Sequence, residues 1–160
     1  MYKLPLSLFF VVVLMGCKKM GIEIPSFSYK RLICEKISSE DLHGKATVVC
    51  VWATWCGDCI REIPELNQLA EKYKDNDHVA FIAFSDEDEP TVRKSLRKFP
   101  FDFAHIVNAK DYTDKLKTGV VKHFPQVLLL DDNLNIVFNV TENKEPIFTI
   151  LDEKIQSIIN

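Results

Sequence analysis

One stretch decides the fold of this chain: Val48-Val49-Cys50-Val51-Trp52-Ala53-Thr54-Trp55-Cys56-Gly57-Asp58-Cys59. Val48 to Trp52 is a short apolar run of β-branched and aromatic residues, which is typical of an interior strand of an α/β sheet. From Ile60 onward, apolar residues recur at helical spacing with charged residues between them. The sequence therefore predicts that Cys56 and Cys59 lie on the first turn of a helix, at the carboxyl end of a central strand. Open α/β sheets place their chemistry at such strand ends.

The rest of the chain predicts an α/β fold, in which a mixed sheet carries helices on both faces. Apolar runs predict strands at residues 27–37 (a strand or hairpin), 46–53, 79–84, 101–107, 126–130 and 135–140. Helical spacing predicts helices at residues 60–73, 91–99, 112–117 and 147–158. Strands that alternate with helices pair in parallel, whereas a turn at 131–133 closes an antiparallel hairpin. Pro64 lies inside the first helix and is expected to kink it.

Composition limits the classes of function. The 160 residues suit one domain, and an apolar fraction of 47% is enough for a hydrophobic core. A net charge of −3 and the lack of a long Lys/Arg run do not favour binding to nucleic acid, so we expect no nucleic-acid partner. The acidic run Asp86–Glu89 lacks the alternation of calcium ligands, and we interpret it as a solvated loop before a helix.

The first residues resemble an export signal. Lys3 precedes the apolar stretch Leu4–Met15, which is too short to span a bilayer comfortably and is typical of a secretory signal. The stretch ends in Leu14-Met15-Gly16-Cys17, which resembles a bacterial lipobox, where the cysteine after the small residue is lipidated.

This interpretation divides the chain and gives it a location. We predict a signal peptide at 1–16, a lipidated anchor and linker at 17–26, and the folded domain at 27–160. The mature protein is then expected to be a periplasm-facing membrane lipoprotein of the cell envelope, attached to the lipid bilayer through Cys17. An uncleaved N-terminal anchor and an incidental Cys17 in an ordinary signal are the alternatives.

Cys56 and Cys59 carry the predicted chemistry. A cysteine is nucleophilic as its thiolate, and the N-terminus of a helix favours that anion. We therefore assign Cys56 as the attacking thiol and Cys59, one turn further along, as the thiol that resolves a mixed disulfide with a substrate. A structural disulfide or half of a zinc site is the alternative, but zinc needs two more ligands and the chain has no second Cys-x-x-Cys. We expect no metal and no cofactor.

The stretch from Trp52 to Cys59 resembles the active-site signature of the thioredoxin superfamily. It resembles in particular the TlpA/ResA type, a group of membrane-anchored bacterial thiol–disulfide oxidoreductases, and the likeness covers residues 27–160. The resemblance implies a thioredoxin-like mixed sheet with an extra N-terminal strand or hairpin. It also implies a central α/β insertion, which the segment Glu87–Val107 resembles.

The resemblance also assigns roles to residues outside the two cysteines. Pro125 matches the cis-proline that packs against the disulfide, and the backbone of Phe124 would then pair with an extended substrate beside Trp55 at the site edge. Glu62 resembles the acidic residue that exchanges a proton with the resolving thiol. The alternative for Glu62 is a solvated helix charge. His123 is interpreted as a surface histidine near the edge of the site.

Two positions depart from thioredoxin itself. Asp58 stands where thioredoxin has proline, and a carboxylate beside the thiols disfavours thiolates and favours the reducing direction. Cys50 stands where thioredoxin has a buried aspartate. We interpret Cys50 as a small buried hydrophobe, which leaves Glu62 as the main candidate for a proton carrier.

The sequence thus leads to a hypothesis and two alternatives. The hypothesis is a monomeric oxidoreductase that reduces disulfides of exported proteins, such as apocytochromes, with electrons from a membrane thiol reductase. One alternative is a peroxiredoxin-like thiol peroxidase, suggested by the order Thr54-Trp55-Cys56, although the preceding proline of that family is absent. The other is a Cu(I)-handling chaperone that uses the two thiolates, although no Met or His is arranged to help.

Overall fold

The computed structural model describes residues 22–33, 35–117, 123–140 and 146–160 of the chain. Strands, four α-helices and one short 3-10 helix lie in these ranges. In chain order they are β1 (Ile22–Glu23), β2 (Ser28–Lys30), β3 (Lys36–Ser38), the 3-10 helix (Ser39–Leu42), β4 (Ala46–Val51), α1 (Gly57–Lys72), β5 (Val79–Phe84), α2 (Glu89–Lys98), β6 (Ala104–Ile106), α3 (Lys110–Lys117), β7 (Gln126–Leu130), β8 (Asn135–Asn139) and α4 (Ile147–Ile159). From β2 onward the order of strands and helices agrees with the prediction, and α1 continues through Pro64.

The main sheet has six strands in the order β1-β8-β7-β4-β5-β6. β4 lies inside it, with β5 parallel on one side and β7 antiparallel on the other. β6 extends the parallel part, while β8 and β1 extend the antiparallel part. The predicted mixed sheet is therefore confirmed.

β4 is buried on both faces because helices cover the sheet on both sides. Val48 and Cys50 pack in a core with α1, α2 and α4. Val49 and Val51 pack in a second core, which includes Tyr112 of α3. Alternate residues of a strand point to opposite faces, so each helix layer receives its own set of apolar side chains. The prediction of helices on both faces is confirmed.

Both predicted additions to the basic fold are present. The N-terminal hairpin forms β2 and β3, a separate two-stranded antiparallel sheet. Phe27, just before β2, places its ring edge-on to Phe84 at 5.3 Å and to Tyr112 at 5.2 Å, so the hairpin is held against the α3 side. The insertion supplies α2 and β6, and β6 pairs in parallel with β5.

The N-terminal boundary differs from the predicted linker at 17–26. Ile22 and Glu23 form β1 and pair with β8, and Ile24 is buried in the core. Two residues are too few to show an alternating pattern, so pairing with a strand far along the chain makes this segment a strand. The predicted signal at 1–16 and the predicted lipidation site Cys17 lie outside the described residues. Within the described ranges, no helix combines the length and apolarity that crossing a bilayer requires.

Candidate active site

The two cysteines lie where β4 ends and α1 begins. After β4, the N–H of Trp52 donates to the carbonyl of Phe84 at 3.0 Å, and the chain then turns, with the N–H of Cys56 donating to Ala53 at 3.1 Å. Cys56 is the N-cap of α1 and forms a disulfide with Cys59. The predicted placement of the pair on the first helical turn is confirmed.

Cys56 differs from Cys59 in its surroundings. The N–H of Cys59 donates to Sγ of Cys56 at 3.1 Å, so the helix N-terminus is directed at that sulfur. After reduction the same donor would stabilise a thiolate at Cys56, because an anion is favoured at this end of a helix. Both cysteines are buried, Cys56 at 6% and Cys59 at 3% exposed, but Cys56 lines an open surface pocket and Cys59 is not part of the described lining. Cys56 is therefore the sulfur that another molecule can reach.

The pocket beside Cys56 brings together several predicted site residues. Its described lining is Trp55, Cys56, Gly57, Asp58, His123 and Phe124. The side chain of Trp55 is 71% exposed, and its ring lies edge-on to that of Phe124 at 5.5 Å. The peptide bond between Phe124 and Pro125 is cis, as the resemblance implied. The site thus presents two aromatic rings next to its accessible sulfur.

Glu62 lies one turn beyond Cys59 on α1 and is half-buried. Among the described residues, its buried Oε2 atom has no hydrogen-bond partner. Burial, followed by the negative charges of Asp58 and Glu65, raises the pKa of Glu62 to about 7, against an opposing effect of the Arg61 cation. A carboxyl group with this pKa can both hold and release a proton near neutral pH.

Cys50 lies on the same side of the sheet as Glu62 and is a free, fully buried thiol. Burial, together with the negative charge of Glu62, raises the pKa of the Cys50 thiol far above its ordinary value. Cys50 therefore stays protonated, as expected of a small buried hydrophobe. Cys34 lies outside the described residues.

Asp58 is exposed and forms an ion pair with exposed Arg61 one turn along α1. The Arg61 cation offsets the negative charge that the sequence placed beside the thiols, although an exposed pair of this kind interacts weakly. The structure gives Asp58 a second effect that the sequence did not suggest, because its charge is one cause of the raised pKa of Glu62.

Glu87 is a site residue that the sequence analysis missed. It belongs to the acidic run interpreted as a solvated loop, but it is only partly exposed. Its Oε2 accepts the N–H of Thr54 at 2.6 Å and its Oε1 accepts the hydroxyl of Thr54 at 2.7 Å. No local pattern could reveal this contact, since the two residues are 33 positions apart.

The described residues do not form a group of metal ligands. Across these ranges, no three His, Cys, Asp or Glu side chains lie together in a way that could hold a metal ion.

Comparison with known proteins identifies the relatives of this chain. The model of the AhpC/TSA family matches residues 20–139. A thiol-disulfide oxidoreductase ResA of Bacillus cereus is 29% identical over 119 residues, which cover 74% of this chain and 68% of the relative. The thioredoxin-like protein YneN of Bacillus subtilis is 30% identical over 114 residues, which cover 70% of this chain and 65% of the relative.

Solved structures show the same fold. A putative thiol:disulfide interchange protein DsbE from Chlorobium tepidum superposes with a TM-score of 0.75 at 24% identity, covering 88% of this chain and 97% of that one. A putative protein disulfide isomerase from Bacteroides thetaiotaomicron gives a TM-score of 0.76 at 21% identity, covering 88% and 90%. The predicted thioredoxin-like fold is confirmed.

Proposed function

The chain belongs to the AhpC/TSA family and is a thiol–disulfide oxidoreductase of the thioredoxin fold, and we propose that it reduces disulfides in exported proteins while tethered to a membrane. One observation carries the choice of substrate. The sulfur of Cys56 accepts the N–H of Cys59, and Cys56 lines an open pocket with two aromatic rings, whereas Cys59 is not part of the described lining. A wide pocket of this kind suits a protein segment better than a small molecule that must be enclosed.

The first step begins with both cysteines reduced. The Cys56 thiolate attacks one sulfur of a partner disulfide, forming a mixed disulfide and expelling the other partner sulfur as a thiolate, which takes a proton from water. The N–H of Cys59 stabilises the attacking thiolate. Trp55 and Phe124 contact the partner segment beside the sulfur.

The second step releases the partner. The thiol of Cys59 gives its proton to the Glu62 carboxylate and attacks Sγ of Cys56. The bond between Cys56 and the partner breaks, and the partner sulfur leaves as a thiolate that takes up one proton. The enzyme ends as the Cys56–Cys59 disulfide, having given two electrons to the partner. A pKa of about 7 suits Glu62 to this exchange.

The cycle needs a dithiol reductant, for which we propose a membrane thiol reductase. The apolar stretch before Cys17 supports export and tethering. Since the chain enters the sheet at Ile22, a lipid on Cys17 would hold the redox domain close to the membrane surface. Apocytochromes are one class of exported partner that such a location favours.

A trapping experiment tests the proposal. The Cys59→Ser chain should accumulate partner proteins as mixed disulfides at Cys56, because the resolving thiol is absent. The Cys56→Ser/Cys59→Ser double variant is the matched control and should trap nothing. If Cys59→Ser traps no protein and the native chain reduces no insulin, the proposed substrate class is wrong.

The same preparations separate the two alternatives. A thiol peroxidase would consume hydrogen peroxide rapidly with a small dithiol as reductant, and a copper chaperone would retain Cu(I) through Cys56 and Cys59 after dialysis. We expect neither at rates or affinities that compete with disulfide reduction. Lipid labelling tests the tether, since a chain lipidated at Cys17 should incorporate a labelled fatty acid and Cys17→Ala should not.

A further inference from the structure

Glu87 connects the redox turn to a distant part of the chain. One carboxylate oxygen accepts the Thr54 N–H at 2.6 Å and the other accepts the Thr54 hydroxyl at 2.7 Å. Hydrogen bonds to a charged acceptor are about twice as strong as neutral ones. The Glu87 carboxylate therefore binds both hydrogen-bond donors of Thr54, which lies two positions before Cys56.

Glu87 is itself held firmly. Its N–H donates to the hydroxyl of Ser85 at 3.2 Å, and its carbonyl accepts the N–H of Asn108 at 2.9 Å. Ser85 is 1% exposed, and its own backbone is bonded to Ile106 and Ala109. The carboxylate thus projects from a support that joins the loop after β5 to the loop after β6. A functional site needs such a second layer, because loosely held side chains drift from their working geometry.

The part of the site next to Thr54 is exposed to solvent. Thr54 leads into Trp55, which is 71% exposed and whose described ring contact is with Phe124. An exposed indole on a turn keeps one orientation only if the backbone beneath it is fixed. The two bonds from Thr54 to Glu87 supply that fixation immediately before Trp55 and Cys56.

We propose that Glu87 is a positioning residue of the redox site. By holding Thr54, it fixes the turn so that Trp55 and the accessible sulfur of Cys56 present one surface to a protein partner. The proposal rests on the proposed function only in naming a protein as the molecule that meets this surface. It gives the central insertion a role, since the segment supplies the residue that shapes the site of the basic fold.

Two variants separate positioning from charge. Glu87→Ala removes both bonds. Glu87→Gln removes the charge but can keep both contacts, because its oxygen can accept the Thr54 N–H while its amide donates to the Thr54 hydroxyl. Glu89→Gln is the matched control, since this neighbouring glutamate is exposed and pairs with Arg93 on its own helix.

The first measurement does not depend on activity. Hydrogen exchange at the Thr54 amide should be fastest in Glu87→Ala, intermediate in Glu87→Gln, whose neutral hydrogen bonds are weaker, and unchanged in Glu89→Gln. The fluorescence anisotropy of Trp55, measured in a Trp52→Phe background, should fall in Glu87→Ala alone. Equal exchange and equal anisotropy in Glu87→Ala and the native chain would overturn the proposal.

The second measurement compares two substrates. For insulin, Glu87→Ala should lower kcat/KM roughly tenfold, mainly through a larger KM, because a misplaced contact surface weakens partner binding. For a small aromatic disulfide, which needs little of that surface, its rate should stay close to that of the native chain. Glu87→Gln should restore most of the insulin activity.

The outcomes distinguish the two proposals. If Glu87→Gln is as impaired as Glu87→Ala, charge rather than position is the contribution and the inference is wrong. If both substrates lose equally, Glu87 serves the stability of the whole site and the inference is also wrong. If the native chain reduces no protein disulfide, the proposed function fails, and the exchange and anisotropy measurements still decide whether Glu87 fixes the turn.

Discussion

Two glutamates, Glu62 and Glu87, lie near the same redox turn but differ in their hydrogen-bond partners. Glu62 lies on α1 just beyond Cys59, with a buried oxygen that has no hydrogen-bond partner among the described residues. Glu87 lies on the loop after β5, with both oxygens accepting hydrogen bonds from Thr54. The two residues have the same side chain, and their surroundings give them different uses.

The difference shows what gives a carboxylate near a redox centre a role in proton exchange or a role in positioning. A buried carboxylate without partners binds a proton more readily, because the charged form has lost its water and gained nothing in return. A carboxylate that accepts N–H and O–H bonds uses its charge to hold those groups in place. We therefore assign proton exchange to Glu62 and positioning to Glu87.

The largest expected effect comes from removing the proton acceptor. Glu62→Gln should slow the resolution of a mixed disulfide at Cys56 roughly 10²-fold at neutral pH, a typical contribution of general base catalysis. The native rate should rise with pH through about 7, where the Glu62 carboxyl loses its proton, and the variant should lack that inflection. Stopped-flow measurement of resolution across this pH range gives both results, with Glu89→Gln as the control. A native profile retained in Glu62→Gln would show that another group accepts the proton.

A second test measures the free energy of unfolding, which substitutions of Glu62 and Glu87 should change in opposite directions. The pKa of Glu62 is raised from 4.5 to about 7 in the folded protein, so the unfolded chain ionises first as pH increases. The contribution of Glu62 to stability is present below pH 4.5 and is lost as pH rises through about 7. Glu62→Gln should therefore be more stable than the native chain above this range. Glu87→Ala should lower the free energy of unfolding by about 2 kcal/mol, because two bonds to a charged acceptor are lost.

Urea unfolding of the oxidised variants, below and above this pH range, measures both effects. The gain in Glu62→Gln should disappear at acidic pH, while the loss in Glu87→Ala should persist at neutral pH. Changes of the same sign at neutral pH would remove the distinction between the two residues.

The smallest expected effect concerns the charges that tune Glu62. Asp58→Asn removes a negative charge that raises the pKa of Glu62, so the inflection in the resolution rate should move to lower pH. Arg61→Gln removes a cation that opposes the rise, and the inflection should move to higher pH. Both shifts should be small, because Asp58 and Arg61 are exposed and their fields are screened by water. Shifts in the same direction would contradict the electrostatic explanation.

Much of the site was predictable because its information is local. The apolar run before Trp52 and the helical spacing after Ile60 place Cys56 at a strand-to-helix junction. The same spacing puts Glu62 one turn beyond Cys59, and the family resemblance identified Pro125. The outline of the sheet could also be predicted, since alternating strands and helices restrict the topology.

The remaining features depend on contacts between distant residues. Strand β1 is too short to show a pattern, and it exists because Ile22 pairs with Ile136 of β8. The importance of Glu87 depends on the parallel pairing of β4 and β5, which brings the loop after β5 to the turn that carries Thr54. In both pairs, no sequence pattern around one residue indicates which distant residue it contacts.

The sequence by itself determined the reactive pair, its place at the start of a helix and the type of fold, because these follow from spacing along one segment. Only the tertiary structure decided which sulfur is accessible, why the pKa of Glu62 is raised and which acidic residue holds the turn. The physical reason is that accessibility, loss of hydration and hydrogen-bond partnership are properties of the packed molecule. For the stretch from Val48 to Cys59, the sequence determined the chemistry and the packing around it decided the direction from which a partner can reach it.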